Sequence, residues 1–357
     1  MVMLSARYMT KDELLPWLRT LASERRVVAP IRVDGKTAYR TIDSDGELDL
    51  DNLPQSSPKE VLLPRTETLL KYRYTKGDEV PSRTGLEVEE VIPDQPTLLF
   101  GARPCDARGF AVIDRVYDAG SKRDIYYCTR RENTLVAALA CTKPEPTCFC
   151  NRVGGGPGES DGADLLFTFI GEGFVIESVT ERGGEFLAAQ GLPEAGDREE
   201  LARNLREEAL AAMPDGDSLL GAPGQVDGLF EDKEFWEEVS AKCLSCGACS
   251  YLCPTCYCFN MTDEMHGSEG VRVRTWDNCM SFQFTLEGSG HNPRAAKAQR
   301  MRNRVGHKFN YYPTLHGGNL ACAGCGRCIA HCPVSMDVRE VVTKAMNRCA
   351  AKEQAHD

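Results

Sequence analysis

The stretches CLSCGACSYLCP at residues 243–254 and CAGCGRCIAHCP at residues 322–333 share the spacing C-x2-C-x2-C-x3-C-P. In this spacing three thiolates curl around one face of a cubane [4Fe–4S] cluster, and the fourth points away to a neighbouring cluster. The duplicated run therefore predicts two [4Fe–4S] clusters with crossed ligands. One predicted set is Cys243, Cys246, Cys249 and Cys332, and the other is Cys322, Cys325, Cys328 and Cys253.

A pair of zinc knuckles is the alternative for these two runs. Structural zinc takes four ligands that are usually grouped in twos, so the third cysteine of each triplet and the proline-flanked fourth fit zinc poorly. Pro254 and Pro333 turn the chain after each crossing ligand. Glycines 247, 324 and 326 allow backbone N–H groups to approach sulfur.

The segments that flank the two runs have helical patterns. EDKEFWEEVSAK leads into the first run, and SMDVREVVTKAMNRCA follows the second with its valines at helical spacing. These flanks resemble the α-helical ferredoxin fold, in which helices present the ligands. We therefore predict an α-helical ferredoxin-like dicluster domain at residues 226–357, after a linker at residues 219–228.

Residues 1–225 are predicted to form an N-terminal domain of α+β or α/β class. Thr10-Lys-Asp-Glu13 is typical of a capping box at the start of a helix, and Asp34-Gly35 is typical of a turn between two strands. Strand, helix and strand patterns across residues 97–141 predict a βαβ unit with parallel strands.

A further group of cysteines lies in this N-terminal part. Cys105 follows the strand TLLFG, Cys141 ends the strand TLVAALA, and Cys148 and Cys150 lie close behind in CTKPEPTCFC. Because the carboxyl ends of parallel strands share one sheet edge, the four thiols are expected to converge there. We predict a third [4Fe–4S] cluster at this edge. A zinc site and buried reduced cysteines are the alternatives, since C-x6-C-x-C is not a general cluster signature.

The other cysteines have less distinctive spacing. Cys256, Cys258 and Cys279 are predicted to pack beside the clusters, with a further site or a tuning role as alternatives. Cys128 and Cys349 have no companion at ligand spacing and are expected to be inert.

Basic residues lie close to the cysteine motifs. The stretch HNPRAAKAQRMRNRVGHK at residues 291–308 contains six Lys or Arg and no acidic residue. It is expected to compensate cluster charge, to dock an acidic partner or to form a solvated helix face. Arg103, Arg130 and Arg131 are expected either to lie at the third site or to pair with acidic groups.

Composition excludes several classes of function. The net charge of −11 predicts no nucleic-acid partner and no membrane partner. The chain shows no signal-peptide pattern and no apolar run long enough to span a bilayer, so we expect a cytoplasmic protein with reduced thiols. The GGGPG segment at residues 154–158 follows CFC and not a buried strand, so it is not a dinucleotide loop.

The motifs in combination resemble the β-subunit family of cytoplasmic sulfhydrogenases. The resemblance rests on GARPCDARGFAVIDRVYD, RRENTLVAALAC…CFC, CPTCYCF, RTWDNCMSFQFTLEGSGHNPR and CAGCGRCIAHCPV. This family includes the iron–sulfur subunit of anaerobic sulfite reductase and iron–sulfur subunits linked to heterodisulfide reductases. The resemblance implies a subunit that relays electrons between a flavin- and NAD(P)-binding partner and a catalytic partner.

Our first hypothesis is therefore a non-catalytic electron-transfer component of a soluble anaerobic oxidoreductase complex. The catalytic partner would be of hydrogenase, sulfite reductase or heterodisulfide reductase type. The alternative is a self-contained iron–sulfur enzyme with chemistry at the N-terminal cysteine site. A third hypothesis is a metal-stabilised assembly module without a redox role.

Overall fold

The structure is a computed structural model that describes residues 6–76 and 84–354. Its strands within those ranges are β1 (Arg7–Thr10), β2 (Arg26–Val33), β3 (Lys36–Thr41), β4 (Glu47–Leu48), β5 (Thr66–Lys76), β6 (Thr84–Glu90), β7 (Thr97–Ala102), β8 (Asp118–Ala119), β9 (Lys122–Arg123), β10 (Thr134–Leu139), β11 (Leu165–Phe169), β12 (Gly173–Ser178), β13 (Phe259–His266) and β14 (Glu269–Trp276).

The α-helices of the same ranges are α1 (Lys11–Leu21), α2 (Pro104–Tyr117), α3 (Ile125–Asn133), α4 (Glu181–Ala188), α5 (Arg198–Ala211), α6 (Ala222–Asp227), α7 (Lys233–Ser240), α8 (Ala248–Tyr251), α9 (Lys297–Gly306), α10 (Tyr312–Leu315), α11 (Arg327–Ala330) and α12 (Val338–Gln354). A π-helical turn at His307–Tyr311 connects α9 to α10.

The main sheet has the strand order β1-β12-β11-β10-β7-β2-β3, with β4 beside β2. Its centre is parallel, because β7 pairs in parallel with β2 and β10, and β10 pairs in parallel with β11. Every residue of β7 and β10 is buried. Continuous apolar strands of this kind are typical of a parallel sheet that is covered on both faces.

Helices cover the two faces of this sheet. One face packs on α1 through Leu14 and Leu18, and the other packs on α2 and α3 through Phe110 and Tyr127. The connection from β7 to β10 contains both α2 and α3, where the sequence pattern predicted one helix. This connection carries Cys105 into the first turn of α2, at the carboxyl edge of the sheet.

Two local sequence signals in this part are confirmed. The backbone N–H of Thr10 donates to the Glu13 carboxylate at 2.9 Å, which forms the capping box of α1. Asp34 and Gly35 have φ values of 51° and 73° between the antiparallel strands β2 and β3. Two consecutive residues with positive φ are the requirement of the tight hairpin turn that Asp-Gly favours.

The predicted linker at residues 219–228 is wrong. This segment contains α6, and Leu219, Ala222 and Val226 are buried in the same core as α7, α9 and α12. Apolar residues at positions 219, 222 and 226 have helical spacing, and their burial outweighs the helix-weakening effect of the intervening glycines and proline. Helix α6 therefore crosses the predicted domain boundary between residues 225 and 226.

The C-terminal part also contains strands that the sequence pattern did not indicate. β13 and β14 form an antiparallel hairpin, and β14 pairs with β5 of the N-terminal part. The resulting sheet has the order β13-β14-β5-β6. Arg274 on β14 contacts Glu67 on β5 at 2.6 Å, and both side chains are buried. No helix in the described part of the chain is both long enough and apolar enough to cross a membrane.

Candidate metal centre

The first predicted ligand set lies around one small cavity of about 50 Å³. Cys243, Cys246, Cys249 and Cys332 all line it, together with Cys328 of the other run. The two runs have matching local structure, because each forms a short helix, α8 or α11, that begins after a left-handed glycine. These two helices pack against each other. The crossing cysteine of the second run is thereby placed beside the triplet of the first.

The second predicted set is gathered in the same way. Cys253, Cys322 and Cys325 are buried, and Cys328 is half-buried next to them. Burial raises the pKa of the Cys328 thiol, and Cys325, Cys253 and Cys322 add to the rise because their charge reaches it. Burial likewise raises the pKa of Cys325 to about 12. The Thr255 hydroxyl, two residues after Cys253, donates to the Ala321 carbonyl at 2.8 Å, so Cys253 lies near the start of the second triplet.

The four N-terminal cysteines also meet. Cys105, Cys141, Cys148 and Cys150 line one cavity of about 480 Å³ at the carboxyl edge of the parallel sheet. Burial raises the pKa of the Cys150 thiol to about 12. The same cavity is lined by Arg103 and by Cys325 of the second set. The third site therefore adjoins the second ligand set.

Close backbone packing holds the third site against the second run. The Phe149 N–H donates to the Gly324 carbonyl at 2.8 Å. Gly324 has a φ of +65°, and a Cβ there would lie 2.5 Å from the Cys150 Cα. Only glycine allows this approach, since any side chain would overlap the backbone of the cysteine loop.

A buried ion pair joins the same two sites. Arg327, between Cys325 and Cys328 of the second run, donates to both carboxylate oxygens of Asp106 at 2.6 and 2.9 Å. Asp106 follows Cys105, and the two charged side chains are 1% and 0% exposed. A bidentate pair of this kind fixes the orientation of both partners.

Three buried cations surround the paired runs. Lys308 donates to Cys253 Sγ at 3.4 Å, and Arg304 donates to Cys256 Sγ at 3.6 Å. Lys59 donates to the carbonyl oxygens of Ser250 and Cys256 and lies over the Trp276 ring. In the described part of the chain none of the three forms an ion pair with Asp or Glu. Buried cations need a nearby negative charge, and the thiolates of iron–sulfur clusters fit that need.

A site for a single metal ion has a different geometry from a site for an iron–sulfur cluster. Among residues 6–76 and 84–354, no group of three or more His, Cys, Asp or Glu side chains is close enough to hold one metal ion. A cubane cluster spreads its thiolates over a wider shell than one ion does, because its irons and sulfides lie between them. The described thiols therefore offer no site for a lone ion, whereas a cubane cluster does not need its thiols to approach so closely.

The predicted basic residues have divided roles. Arg103 lines the third site, and it opposes the rise in the pKa of Cys141 that burial causes. Arg130 pairs with Glu67 and Arg131 pairs with Asp114, so these two arginines form ion pairs with acidic side chains. In the stretch at residues 291–308, Arg300, Arg304 and Lys308 are buried. These three of the six basic side chains therefore do not form a solvated helix face.

Sequence reasoning did not find all of these residues. Lys59 lies in a short 3-10 turn, Pro58–Val61, with no motif around it. Arg327 stands within the cysteine run, at the position between two ligands, and a charged residue there was a usable signal. Its partner Asp106 was not recognisable, because the contact joins residues far apart in the chain.

Known proteins resemble this chain in both its dicluster segment and its overall length. Residues 242–336 match the 4Fe-4S dicluster domain family. No solved structure matches the chain significantly. Sulfhydrogenase 2 subunit beta of Pyrococcus furiosus is 30% identical over 320 residues, which cover 87% of this chain and 90% of the relative. With this likeness over nearly all of both chains, and with the cysteine runs inside the matching dicluster segment, the chain belongs to the sulfhydrogenase beta-subunit family.

Proposed function

We propose that this chain is a non-catalytic electron-transfer subunit. It relays single electrons from a partner that binds flavin and NAD(P) to a catalytic partner of hydrogenase, sulfite reductase or heterodisulfide reductase type, or in the opposite direction. The observation that carries the proposal is that two cavities gather cysteines. One is lined by Cys243, Cys246, Cys249, Cys328 and Cys332, and the other by Cys105, Cys141, Cys148, Cys150 and Cys325. Iron–sulfur clusters supply one-electron redox chemistry when they are bound.

The ligand assignment is part of the proposal. The C-terminal part, residues 226–357, uses Cys243, Cys246, Cys249 and Cys332 for one [4Fe–4S] cluster and Cys322, Cys325, Cys328 and Cys253 for the other. The N-terminal part, residues 1–225, uses Cys105, Cys141, Cys148 and Cys150 for a third. Four thiolates in each set leave no open iron, so the chain binds no substrate at these positions.

Protein groups around the thiols adjust the charge of the sites. Each reduction adds one negative charge, and a buried cation stabilises the reduced form more than the oxidised form. Lys308 and Arg304 are placed to do this, since they contact cysteine sulfur atoms inside the protein. The Ser245 backbone N–H donates to Cys243 Sγ at 3.4 Å, and such bonds to sulfur act in the same direction.

Contact between the third site and the second set supports a continuous path. Cys325 belongs to the second set and also lines the cavity of the third. The two cysteine runs share α8–α11 packing, and Cys328 lines the cavity of the first set. Cys325 and Cys328 of the second run thus connect the cavity of the third site to the cavity of the first set.

The relay is tested in the assembled complex with Cys246→Ser. Electron flow from reduced flavin to the catalytic partner should fall sharply, while each partner keeps its activity with artificial dyes. Cys128→Ser is the matched control, because Cys128 is a buried thiol that donates to the Tyr117 carbonyl at 3.4 Å, outside the three groups. Unchanged flow in Cys246→Ser would favour a structural role for the metal.

Separate variants test the ligand sets. Cys332→Ser should damage folding as well as redox, since it joins distant segments and metal binding is coupled to folding. Intact circular dichroism, iron content and cluster signals in that variant would contradict the crossed assignment. Cys141→Ser should remove about four iron atoms per full-length chain. Unchanged iron would contradict the third cluster.

The size of the cavity at the third site favours a second candidate function. The third cavity extends from its cysteines to apolar side chains of α1 and β12, including Leu14 and Phe174, and its volume is about 480 Å³. A self-contained enzyme would use this space for a small substrate. Turnover by the purified chain with an artificial electron donor, and without its partners, would support this enzyme in place of the relay.

A further inference from the structure

A group of three cysteines outside the predicted ligand sets lines a cavity of its own. Cys256, Cys258 and Cys279 surround a space of about 390 Å³, together with Arg304, His307 and Lys308. It shares Arg304 with the cavity of the first ligand set and no lining residue with the cavity of the third site. The three thiols therefore line a space apart from these two cavities, while Cys256 also lies within hydrogen-bonding reach of Cys253 of the second set.

The β13–β14 hairpin brings these thiols together from distant positions. Cys256 and Cys258 precede β13, and Cys279 follows β14. The hairpin register places Phe259 opposite Trp276, and the Asp277 N–H donates to the Cys258 carbonyl at 2.9 Å. At the open end of the hairpin Cys258 therefore lies opposite Asp277, two residues before Cys279.

The walls of this cavity carry positive charge without acidic partners among the described residues. Arg304 donates to Cys256 Sγ at 3.6 Å, and Lys308 lines the same space. Both cations are buried, at 6% and 4% exposure. These cations also contact the paired runs, since Lys308 donates to Cys253 Sγ at 3.4 Å and Arg304 donates to the Cys249 carbonyl at 2.8 Å. Thiolates of a metal centre in this cavity would add negative charge that the same two cations stabilise.

One imidazole completes the set of possible ligands. His307 is the histidine among the residues that line the cavity. Its Nε2 lies 3.0 Å from the Tyr257 hydroxyl, in a hydrogen bond that orients the ring. Ligating histidines commonly bond through one nitrogen while the other is held by such a partner. Tyr257 is itself packed against Tyr117 and His307.

We propose that Cys256, Cys258 and Cys279 hold a fourth iron–sulfur cluster, with His307 as the fourth ligand. A donor set of three thiolates and one imidazole suits iron or zinc. The position favours iron, because Ser250 lies beside Cys279 at 3.8 Å and follows the ligand Cys249 in the first run. The centre then lies next to the paired runs, within the electron path.

This inference goes beyond the relay proposal and is independent of it, because its readout is the metal itself. The full-length chain is reconstituted without oxygen with sulfide and equal amounts of ferrous and ferric iron, and each thiol releases its proton on binding iron. Iron, zinc and sulfide are then measured per chain. Three cubane clusters account for about twelve irons. The wild-type chain should contain about two to four more irons than the double variant Cys258→Ser/Cys279→Ser, and equal iron in the two chains would overturn the fourth cluster.

The double variant Cys258→Ser/Cys279→Ser identifies the site. It should lose the additional irons and one spectroscopic signal, while the signals of the remaining clusters persist. Cys128→Ser should keep the full count. Unchanged iron in the double variant, or zinc in place of the additional iron, would overturn the proposal. If the double variant fails to fold, the single variants Cys258→Ser and Cys279→Ser give the same comparison of iron content with the wild-type chain.

His307 is tested by its effect on the signal of that cluster. His307→Ala should keep the iron of the other sites and shift or abolish the signal of the fourth cluster. His307→Cys should restore a cluster with an altered spectrum, because it supplies a fourth thiolate. An unchanged spectrum in His307→Ala would show that His307 is not a ligand.

Discussion

Asp106→Ala removes the carboxylate that connects the third site to the second cysteine run. In the native chain this carboxylate accepts two bonds from Arg327 and one from the Tyr39 hydroxyl at 3.2 Å. It also accepts the Arg103 backbone N–H at 3.3 Å, at the start of α2. The substitution leaves the Arg327 guanidinium buried with the Pro54 carbonyl, at 3.0 Å, as its remaining hydrogen-bond partner among the described residues.

The size of the effect follows from burial. Breaking a fully buried pair by removal of one partner costs about 3–5 kcal/mol, because the other charge stays in the interior. With exposures of 1% and 0%, no discount for solvent screening applies to this pair. Arg327→Met should cost about as much. The double variant removes both charges, so it should cost less than the sum, with a coupling energy of about 3 kcal/mol.

Urea unfolding of the full-length chain without oxygen, followed by far-UV circular dichroism and by cluster absorbance, measures these free energies. In the single variants the absorbance of the proposed third cluster should also be lost first, since Asp106 adjoins Cys105. If Asp106→Ala costs less than about 1 kcal/mol, or if the two single effects simply add, the pair does not hold the two sites together. Lys344→Met, which removes a surface pair with Glu238, is the matched control and should be near neutral.

Three other substitutions have expected outcomes. Lys308→Met should lower the reduction potential of the cluster proposed at Cys253 by on the order of 100 mV, because one buried positive charge is lost. Redox titration measures this shift, and Lys308→Arg, which keeps the charge, should leave the potential near its native value. Gly109→Ala should lower the free energy of unfolding in urea by about 1–3 kcal/mol, because the new Cβ would lie 2.6 Å from Pro254. The control Gly224→Ala has open space in α6 and should be neutral or stabilising. Asp232→Ala should cost about 1–2 kcal/mol in thermal unfolding, because Asp232 caps α7 and bonds Lys352 and Arg348 of α12.

Local signals in the sequence predicted the parts of the fold that local chemistry determines. The capping box at Thr10 and the Asp34-Gly35 turn depend on residues within a few positions of one another, and both are present. The helical flanks of the two cysteine runs, α7 and α12, follow from apolar spacing within each segment, and both are present as well. Convergence of the four N-terminal cysteines followed from one rule about parallel sheets.

Contacts between residues far apart in the chain could not be predicted from the sequence pattern. The pairing of β14 with β5 joins residues about two hundred positions apart, and nothing in RTETLLKYRYTK specifies its partner. The ion pair of Asp106 with Arg327 has the same character. The predicted linker failed for a related reason, since glycine and proline suggested a break while burial against α12 decided the outcome. Such contacts depend on the complete fold.

The distribution of charge connects the fold to the redox role. The chain carries a net charge of −11, and Arg327 in the second run pairs with Asp106, yet Lys59, Arg304 and Lys308 form no ion pair with Asp or Glu within the described residues. If Lys59, Arg304 and Lys308 served stability alone, a carboxylate at each would be the usual arrangement, because buried charges are paired. Their nearest negative groups are cysteine sulfur atoms instead. The interior is thus arranged for anions that the polypeptide does not itself contain, and these cations stabilise the negative charge that arrives with each electron.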